Sequence, residues 1–391
     1  MEATRKPVGE WLDAVPRQAK IKRSAYQESG RYPIVDQSQA DIAGYTDDES
    51  WLYQGELPVV IFGDHTRVLK FVNFPFCVGA DGTQLLRPVA GNDIRYFYYA
   101  LRNVGLTNYG YERHFKYLKE EEIPAPPLPV QRRIAGILSA YDELMENSQR
   151  RIRLLEAMAR ALYREWFVHF RFPGHEKHPR VASPLGDIPQ GWEVRTAKDV
   201  ATVTYGFPFA SKKFNTDGIG TPVIRIRDIL DGSINTFTDE VAEPKYHIKN
   251  GDILVGMDGD FHMCIWSSGH AFQNQRVAKF ESNGEIGNYH LFLALELPIQ
   301  TWNKSIVGTT VAHLGDMHIK TIQIAWPPAN ILAKAREILE PMSEQIIMLK
   351  RQIQNLRRTR DLLLPRLLSG QVSLSAAGEV VVSLSPHKNK S

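Results

Sequence analysis

The sequence predicts an α+β protein: two tandem domains, each a twisted, mostly antiparallel sheet with helices and each followed by one long helix. The two long helices are expected to pair as an antiparallel coiled coil. Three observations lead there. Residues 131–167, QRRIAGILSAYDELMENSQRRIRLLEAMARALYREWF, hold no Pro and no Gly after Gly136, and they are rich in strong helix formers. Alternating steps of four and three from Tyr141 pick out Met145, Ser148, Ile152, Leu155, Ala159, Leu162 and Trp166, the narrow apolar stripe of a coiled-coil seam. Adding 201 (342 minus 141) to each number gives Met342, Ile346, Leu349, Ile353, Leu356, Arg360, Leu363 and Leu367, apolar everywhere but at Arg360. Two such stripes in one chain, each lacking a partner, most simply pack against each other.

The chain has 391 residues, 43% hydrophobic and 23% charged, which suggests two or three soluble globular domains. A net charge of +3 and a pI near 8.6 permit a nucleic-acid partner without requiring one. Cys77 and Cys264, the two cysteines, are far apart in apolar contexts and read as free thiols in a reducing compartment. No apolar run approaches the ~18 residues of a membrane span. The opening MEATRKPVGEW lacks the apolar core of a signal peptide. A cytoplasmic protein with no membrane partner is expected.

In chain order, residues 1 to about 30 are polar and basic. The runs LPVVIF (57–62), VLKFVNF (68–74) and PFCVG (75–79) follow, β-type segments divided by turn signals. DIRYFYYALR (93–102) is an aromatic helix candidate. IPAPPLP (123–129) stops any helix before it and stiffens the start of the long one. After Phe167 a stretch rich in Pro, Gly, His and Ser reads as a linker. The plan then repeats. GDILVGMDGD (251–260) matches VVIFGDHT, and NYHLFLALEL (288–297) matches RYFYYALR at an offset of 194 (291 minus 97). Pro126-Pro127 and Pro327-Pro328 stand 201 apart (327 minus 126), so the second copy carries a small loop insertion. Gly370 is a plausible C-cap for the second long helix, and the tail from Ser375 is expected to be disordered. The expected divisions are 1–128 for the first domain, 129–168 for the first long helix and 169–191 for the linker. They continue with 192–328 for the second domain, 329–370 for the second long helix and 371–391 for the tail. About 35 helical residues at 1.5 Å each give a spacer of ~50 Å, comparable with one to one and a half turns of B-DNA. A chain with two equivalent heads on such a spacer suits a two-part linear target.

The chain resembles the specificity (S) subunit of type I restriction-modification systems. The residues that carry the likeness are PLPVQRRIAGILSAYDELMENSQRRIRLLEAMARALYREWF, SPLGDIPQGWEV, GDILVGMDGDFH, NQRVAKF and LKRQIQNLRRTRDLLLPRLLSG. No single motif is diagnostic, but the ordered set is specific and spans residues 31–374. The resemblance implies that each head is a target-recognition domain reading one half of a split, asymmetric DNA sequence, with the coiled coil setting the gap. It implies double-stranded DNA, two modification (methyltransferase) subunits and restriction/translocase subunits as partners. Those partners would use S-adenosylmethionine, ATP and magnesium, and this chain would bind no cofactor and carry no catalysis. The short lead before Arg31 departs from the pattern and suggests a trimmed edge on the first domain.

Enzyme motifs agree with this by their absence. The sequence has no Asn-Pro-Pro-Tyr or Asp-Pro-Pro-Tyr run, no G-x-x-x-x-G-K-S/T loop, no G-x-S-x-G elbow and no H-E-x-x-H. Asp64-His65 and Asp258-Gly259-Asp260 read as strand turns rather than metal carboxylates. His169, His175 and His178, or Cys264 with His262, lack the ligands and spacing of a zinc site. For DNA contact, Lys20, Lys22 and Arg23 and then Lys212 and Lys213 fall early in the two heads. They suit phosphates, which position a protein without reading sequence; an ordinary solvated surface gives the same pattern. Arg225 and Arg227 alternate in VIRIRDI as if on one strand face, and either grip guanine or pair with a carboxylate. The loops holding Gln37, Ser38 and Gln39, then Asp81 to Gln84, then Gln273, Asn274, Gln275 and Arg276 offer amides for adenine or for bracing a turn. Helix-face arginines such as Arg150, Arg151, Arg153, Arg357 and Arg358 are solvent-facing or meet a partner. A self-sufficient nuclease or methyltransferase, and a scaffold binding protein or carbohydrate, are the competing readings.

Overall fold

The computed structural model describes residues 4–108, 110, 112–230, 232–305, 313–374 and 380–382. The chain forms two compact units, Met1–Leu144 with Leu356–Ser391, and Met145–Asn355. Each long helix is therefore shared between the units.

In the first unit β1 (Arg5–Pro7) and α1 (Val8–Trp11) open the head. The strands β2 (Tyr32–Val35), β3 (Gly44–Thr46), β4 (Val59–Gly63), β5 (Leu69–Val72), β6 (Cys77–Val78) and β7 (Thr83–Leu86) follow. They divide into a β5-β4-β7 sheet and a β3-β2-β6 sheet in which only β2 and β6 run parallel. Helices α2 (Ile94–Arg102) and α3 (Phe115–Glu120), strand β8 (Glu122–Pro124) and the long α4 (Leu128–Tyr163) complete the order. The apolar run of β4 is explained by burial on both faces. Val60 and Phe62 pack with Tyr96, Phe97, Ala100 and Leu101 of α2, while Val59 and Ile61 pack with Val35, Val72 and Phe76, as the alternation of a strand requires. Asp93 caps α2 by accepting from Tyr96 N at 2.8 Å. Gln131, in the first turn of α4, fixes that cap. Its amide donates to Asn92 Oδ1 and Pro126 O and accepts from Asp93 N, all at 2.9 Å.

Within the second unit, after the first long helix, β9 (Arg180–Val181) and β10 (Ile188–Pro189) form a short ladder. The stretch expected as a linker is folded rather than loose, because Phe172 and Ile188 enter the core of the second unit. The second head then opens with β11 (Glu193–Thr196), α5 (Ala197–Val200) and β12 (Ala201–Tyr205). Strands β13 (Phe214–Asn215), β14 (Thr221–Ile224), β15 (Phe237–Thr238), β16 (His247–Ile248), β17 (Ile253–Gly256), β18 (Met263–Ile265), β19 (Ala271–Gln273) and β20 (Val277–Ser282) follow. Helices α6 (Asn288–Ser305) and α7 (Asp316–Thr321), strand β21 (Gln323–Trp326) and the long α8 (Ala329–Leu368) end the plan. The sheets are β12-β20-β17-β18 and β13-β15-β14-β19-β16, with β14 and β19 parallel. Of the tail expected to be disordered, 375–379 and 383–391 lie outside the described residues. Strands β22 (Val372–Leu374) and β23 (Val380–Val382) pair antiparallel. No described helix is long and apolar enough to cross a membrane.

The heads share one plan, although β12, β13 and β16 of the second have no strand counterpart among the described residues of the first. β1 and α1 match β11 and α5 at an offset of 189 (197 minus 8). β4 matches β17 at 193 (253 minus 60), α2 matches α6 at 194 (288 minus 94), and α3, β8 and α4 match α7, β21 and α8 at 201 (316 minus 115). Of the trimmed first edge expected from the short lead, the opening strand is present, while the edge strand β12 has no strand counterpart among the described residues of the first head. β1 pairs with β8 just as β11 pairs with β21, and Val8 and Trp11 are buried. The last step in offset falls beyond α2, where α6 runs for 18 residues against 9.

Within each unit the long helices run antiparallel. In the first, Asp142 faces Arg360, while the earlier Ile134 and Leu138 share a core with the later Leu364, Leu367 and Leu368. In the second, Glu156 faces Lys350, and Ile152 and Ala159 share a core with Ile346, Leu349 and Ile353. Along the stripe, Ile152, Trp166, Ile346, Leu349, Ile353 and Leu367 are buried. Tyr141, Met145, Leu155, Leu162, Met342, Leu356 and Leu363 are half-buried. Leu144, Leu154 and Met158, off the stripe, are exposed.

Each head is also tied to a long helix by an ion pair, with reversed polarity. Arg102 of α2 approaches Asp361 at 3.8 Å. At the matching places (296 minus 102 is 194; 361 minus 160 is 201), Glu296 of α6 takes a forked grip from Arg160, at 2.9–3.1 Å. Arg160→Glu should cost the second unit about 1 kcal/mol, since the pair is partly exposed. Adding Glu296→Arg should recover most of that, as read by urea unfolding. Equal losses in the single and double variants would show the pair to be idle.

Candidate nucleic-acid interface

In each head the same loops converge at one end of the two sheets. In the first head, Gln37 sits at their meeting point. Its amide donates to Asp81 O at 2.8 Å and accepts from His65 N at 3.1 Å, and Thr66 Oγ1 donates to its carbonyl. Lys20 Nζ donates to Thr83 O at 2.7 Å and Ala80 N to Ile21 O at 2.9 Å, so the lead is tied to the turn before β7. Burial lowers the pKa of Lys20, with Asp81 and Asp64 opposing. Gly82 (φ +85°) is required here, since a Cβ would lie 2.7 Å from the Gln37 amide. Asp64 is a capping residue: Oδ1 accepts from Phe115 N at 2.9 Å, and Gln84 Nε2 reaches Oδ2 at 3.4 Å.

The second head repeats this with other side chains. Gly206 passes so close to the turn after β19 that a Cβ would meet Asn274 O at 1.9 Å. Asn274 N donates to Ile224 O at 3.1 Å and Met257 N to Arg276 O at 2.9 Å. Asp258 stands between Arg276 Nε (3.4 Å) and His313 Nδ1 (2.7 Å). The buried Gln273 amide donates to Thr204 O and Val277 O at 2.7 Å.

The expected contact residues are thereby sorted. Gln37, Lys20 and Gln84 brace loops. Ser38 N is held by Asp36 Oδ1 at 2.8 Å, and Ser38 Oγ is buried. Gln39, Lys22 and Arg23 are exposed in the first head, and Lys212, Lys213, Gln275 and Arg276 in the second, with Asn274 half-buried. Arg23 opens the turn Arg23–Ala25 and Lys212 and Lys213 end the turn Ser211–Lys213, matching positions 188 apart (211 minus 23). Arg225 and Arg227 do not alternate on a strand. β14 ends at Ile224, and Asp228 accepts from Arg225 N at 2.8 Å to start the turn Ile226–Asp228. The carboxylate that the sequence puts three residues on pulls the chain out of the strand. Arg227 remains beside Asp228 at 3.7 Å.

Other chemistry finds little support. Among the described residues no three His, Cys, Asp or Glu side chains gather as a metal site. Burial pushes the Cys77 and Cys264 thiols up to about 11 and about 12, so they stay protonated. The first head has a cleft of about 580 Å³ lined by Gln39, Arg67, Tyr98 and Arg102 among others. Arg67 has a left-handed backbone (φ +60°). So has its counterpart Phe261 (φ +40°, 261 minus 67 is 194), whose side chain is buried in the second unit's core. The two heads thus share a frame and differ in the surface it carries.

The family model for the type I restriction modification DNA specificity domain matches residues 15–157 and 189–358. The specificity subunit of the type I restriction enzyme MjaIX from Methanocaldococcus jannaschii is 28% identical over 272 residues, 65% of this chain and 61% of that protein. The EcoBI specificity subunit from Escherichia coli is 31% identical over 194 residues, 48% of this chain and 41% of that protein. The matched stretches thus span less than two thirds of either relative's own length. The crystal structure of a type I restriction-modification S subunit from M. genitalium superimposes with a TM-score of 0.60 over 93% of this chain and 96% of that one, at 18% identity. That last likeness is one of fold. The family model covers well over half of the residues, in two segments that coincide with the two heads and their helices, and the chain belongs to the type I restriction-modification DNA specificity family.

Proposed function

We propose that this chain is the non-catalytic DNA-sequence specificity subunit of a type I restriction-modification complex. Each head reads one half of a bipartite, asymmetric target in double-stranded DNA, and the paired long helices set the gap. Residues 1–128 and 192–328 are the reading domains, 129–168 and 329–370 the spacer. The chain holds two adenine methyltransferase subunits and the restriction/translocase subunits in place. Those partners bring S-adenosylmethionine, ATP and magnesium.

The observation that carries the reading is the matched pair of loop clusters. Both heads present the same loops on the same strands, and both carry exposed cations on the same early turn. The side chains at the tips differ: on the turn before β7 stand Asp81 and Gly82, and on the matching turn before β20 stand Gln275 and Arg276. Shared cations suit the phosphate backbone, which is the same in both half-sites. Unlike tips suit two unlike sequences.

Mapping N6-methyladenine across the genome of cells carrying the chain and its partners should return one split motif. Gln275→Ala with Arg276→Ala should then relax base preference about tenfold in one half of that motif, the low end of one good base contact. The other half should keep its preference. Equal relaxation in both halves would refute the assignment of heads to half-sites. Methyl transfer by the purified chain alone would refute the non-catalytic reading.

A further inference from the structure

Lys70 lies in β5 and is 7% exposed. Its counterpart in the second head is Cys264 (264 minus 70 is 194), half-buried in β18. An apolar or small residue therefore satisfies this place in the frame, and a buried ammonium needs a reason, since desolvating one without partners is costly.

The reason is the loop between β2 and β3. Lys70 Nζ donates to Asp36 O at 2.8 Å and to Ala40 O at 2.5 Å. One ammonium thus joins two carbonyls four residues apart and closes the loop on itself. Asp36, itself buried, holds Ser38 N on Oδ1 at 2.8 Å and accepts from the Tyr26 hydroxyl on Oδ2 at 3.3 Å. Gln37 is fixed by Asp81 and His65. With these groups tied down, Gln39, Asp41 and Ile42 are left exposed. A methionine or a cysteine at position 70 supplies no charged donor for those carbonyls. In the second head the corresponding loop is held differently, by Asp228 on Arg225 N.

We infer that Lys70 is a positioning residue of the first head, fixing the shape in which residues 39–42 meet DNA and so the base preference of one half-site, without touching DNA. This rests on the proposed function. A recognition element held by a buried network keeps its side chains within the tolerance that specific contacts need.

The test uses the full chain with its partner subunits in cells and N6-methyladenine mapping as the readout. Lys70→Met should relax preference in one half of the motif about tenfold, comparable with the loss of one base contact. The affected half should be the one left intact by changes at Gln275 and Arg276. Should Lys70→Met not accumulate, Lys70→Gln serves, because its shorter neutral side chain cannot span both carbonyls, and the same relaxation is expected. An unchanged motif with either variant overturns the inference and leaves the proposed function standing. A wild-type chain that directs no split motif overturns both.

Discussion

At pH 4 the second unit should be about 3 kcal/mol less stable than at pH 7 on account of His290 alone. His290 lies on α6 within the aromatic end of the first long helix, its ring 4.4 Å from Phe167 and 5.5 Å from Tyr163. Burial pushes its pKa down to about 3. In the unfolded chain the imidazole takes up a proton near pH 6.5, while in the folded chain it stays neutral until far lower. Protons therefore favour the unfolded state between those values. The penalty is absent above pH 6.5, grows by about 1.4 kcal/mol per pH unit below it, and levels off near pH 3. Native carboxylates with lowered pKa, such as Asp199, add their own acid sensitivity, so the variant must be compared with the wild type. The matching residue in the first head is Tyr96 (290 minus 96 is 194), whose hydroxyl donates to Pro124 O at 2.9 Å. His290→Tyr borrows a solution already present in the chain. Urea unfolding at several pH values, followed by the fluorescence of Trp166 and Trp192, should give a flatter pH profile for the variant. Parallel profiles would show that His290 is not the acid-sensitive group.

The frame was legible in the sequence wherever a pattern repeats. The step of four and three from Tyr141 marks the buried stripe, and leaves Leu154 and Met158 outside it, because helix period alone decides which side chains share a face. The Pro pairs mark where each long helix begins. Strand partners were not legible. VVIFG is apolar throughout because β4 is covered on both faces, so alternation was hidden, and the split into two small sheets depends on pairings far apart in sequence. The contact residues were harder still. Gln37 and Gln39 are indistinguishable as letters, yet one is consumed by three internal bonds and the other is exposed. Arg225 and Arg227 misled because Asp228 ends the strand before them. Lys70 left a signal that passed unread: in the run LKFV it occupies the core phase with Val72, a place where a charge needs an internal partner. Side chains that hold loops and side chains that read ligands draw on the same polar alphabet, and only geometry separates them.

The one polar residue on the second helix's stripe, Arg360, should prove a strict partner of Asp142 in the first unit. Its guanidinium is 8% exposed at the side chain and bonds the Asp142 carboxylate, with Asp361 Oδ1 at 2.7 and 2.9 Å. Asp142 also accepts from the Tyr99 hydroxyl of α2, so head and both helices meet at one ion pair. Asp142→Leu should cost the first unit about 3 kcal/mol, because it leaves a largely buried cation with only a half-exposed carboxylate. Arg360→Leu added to it should recover most of the loss, since an apolar pair removes both the attraction and the desolvation it had to offset. The second unit shows that the frame tolerates this. At the matching places stand Ala159 and Ser343 (360 minus 159 and 343 minus 142 are both 201), with no ion pair between them. If the double variant were as unstable as the single one, Arg360 would be valued for packing of its long stem rather than its charge. If it regains stability, the pair's remaining role is register: a lone polar contact on an apolar seam penalises every sliding of one helix along the other. Under the proposed function, in which the helices set a distance along DNA, a slip of one turn would shift that distance by about 5.4 Å, more than the 3.4 Å step between base pairs.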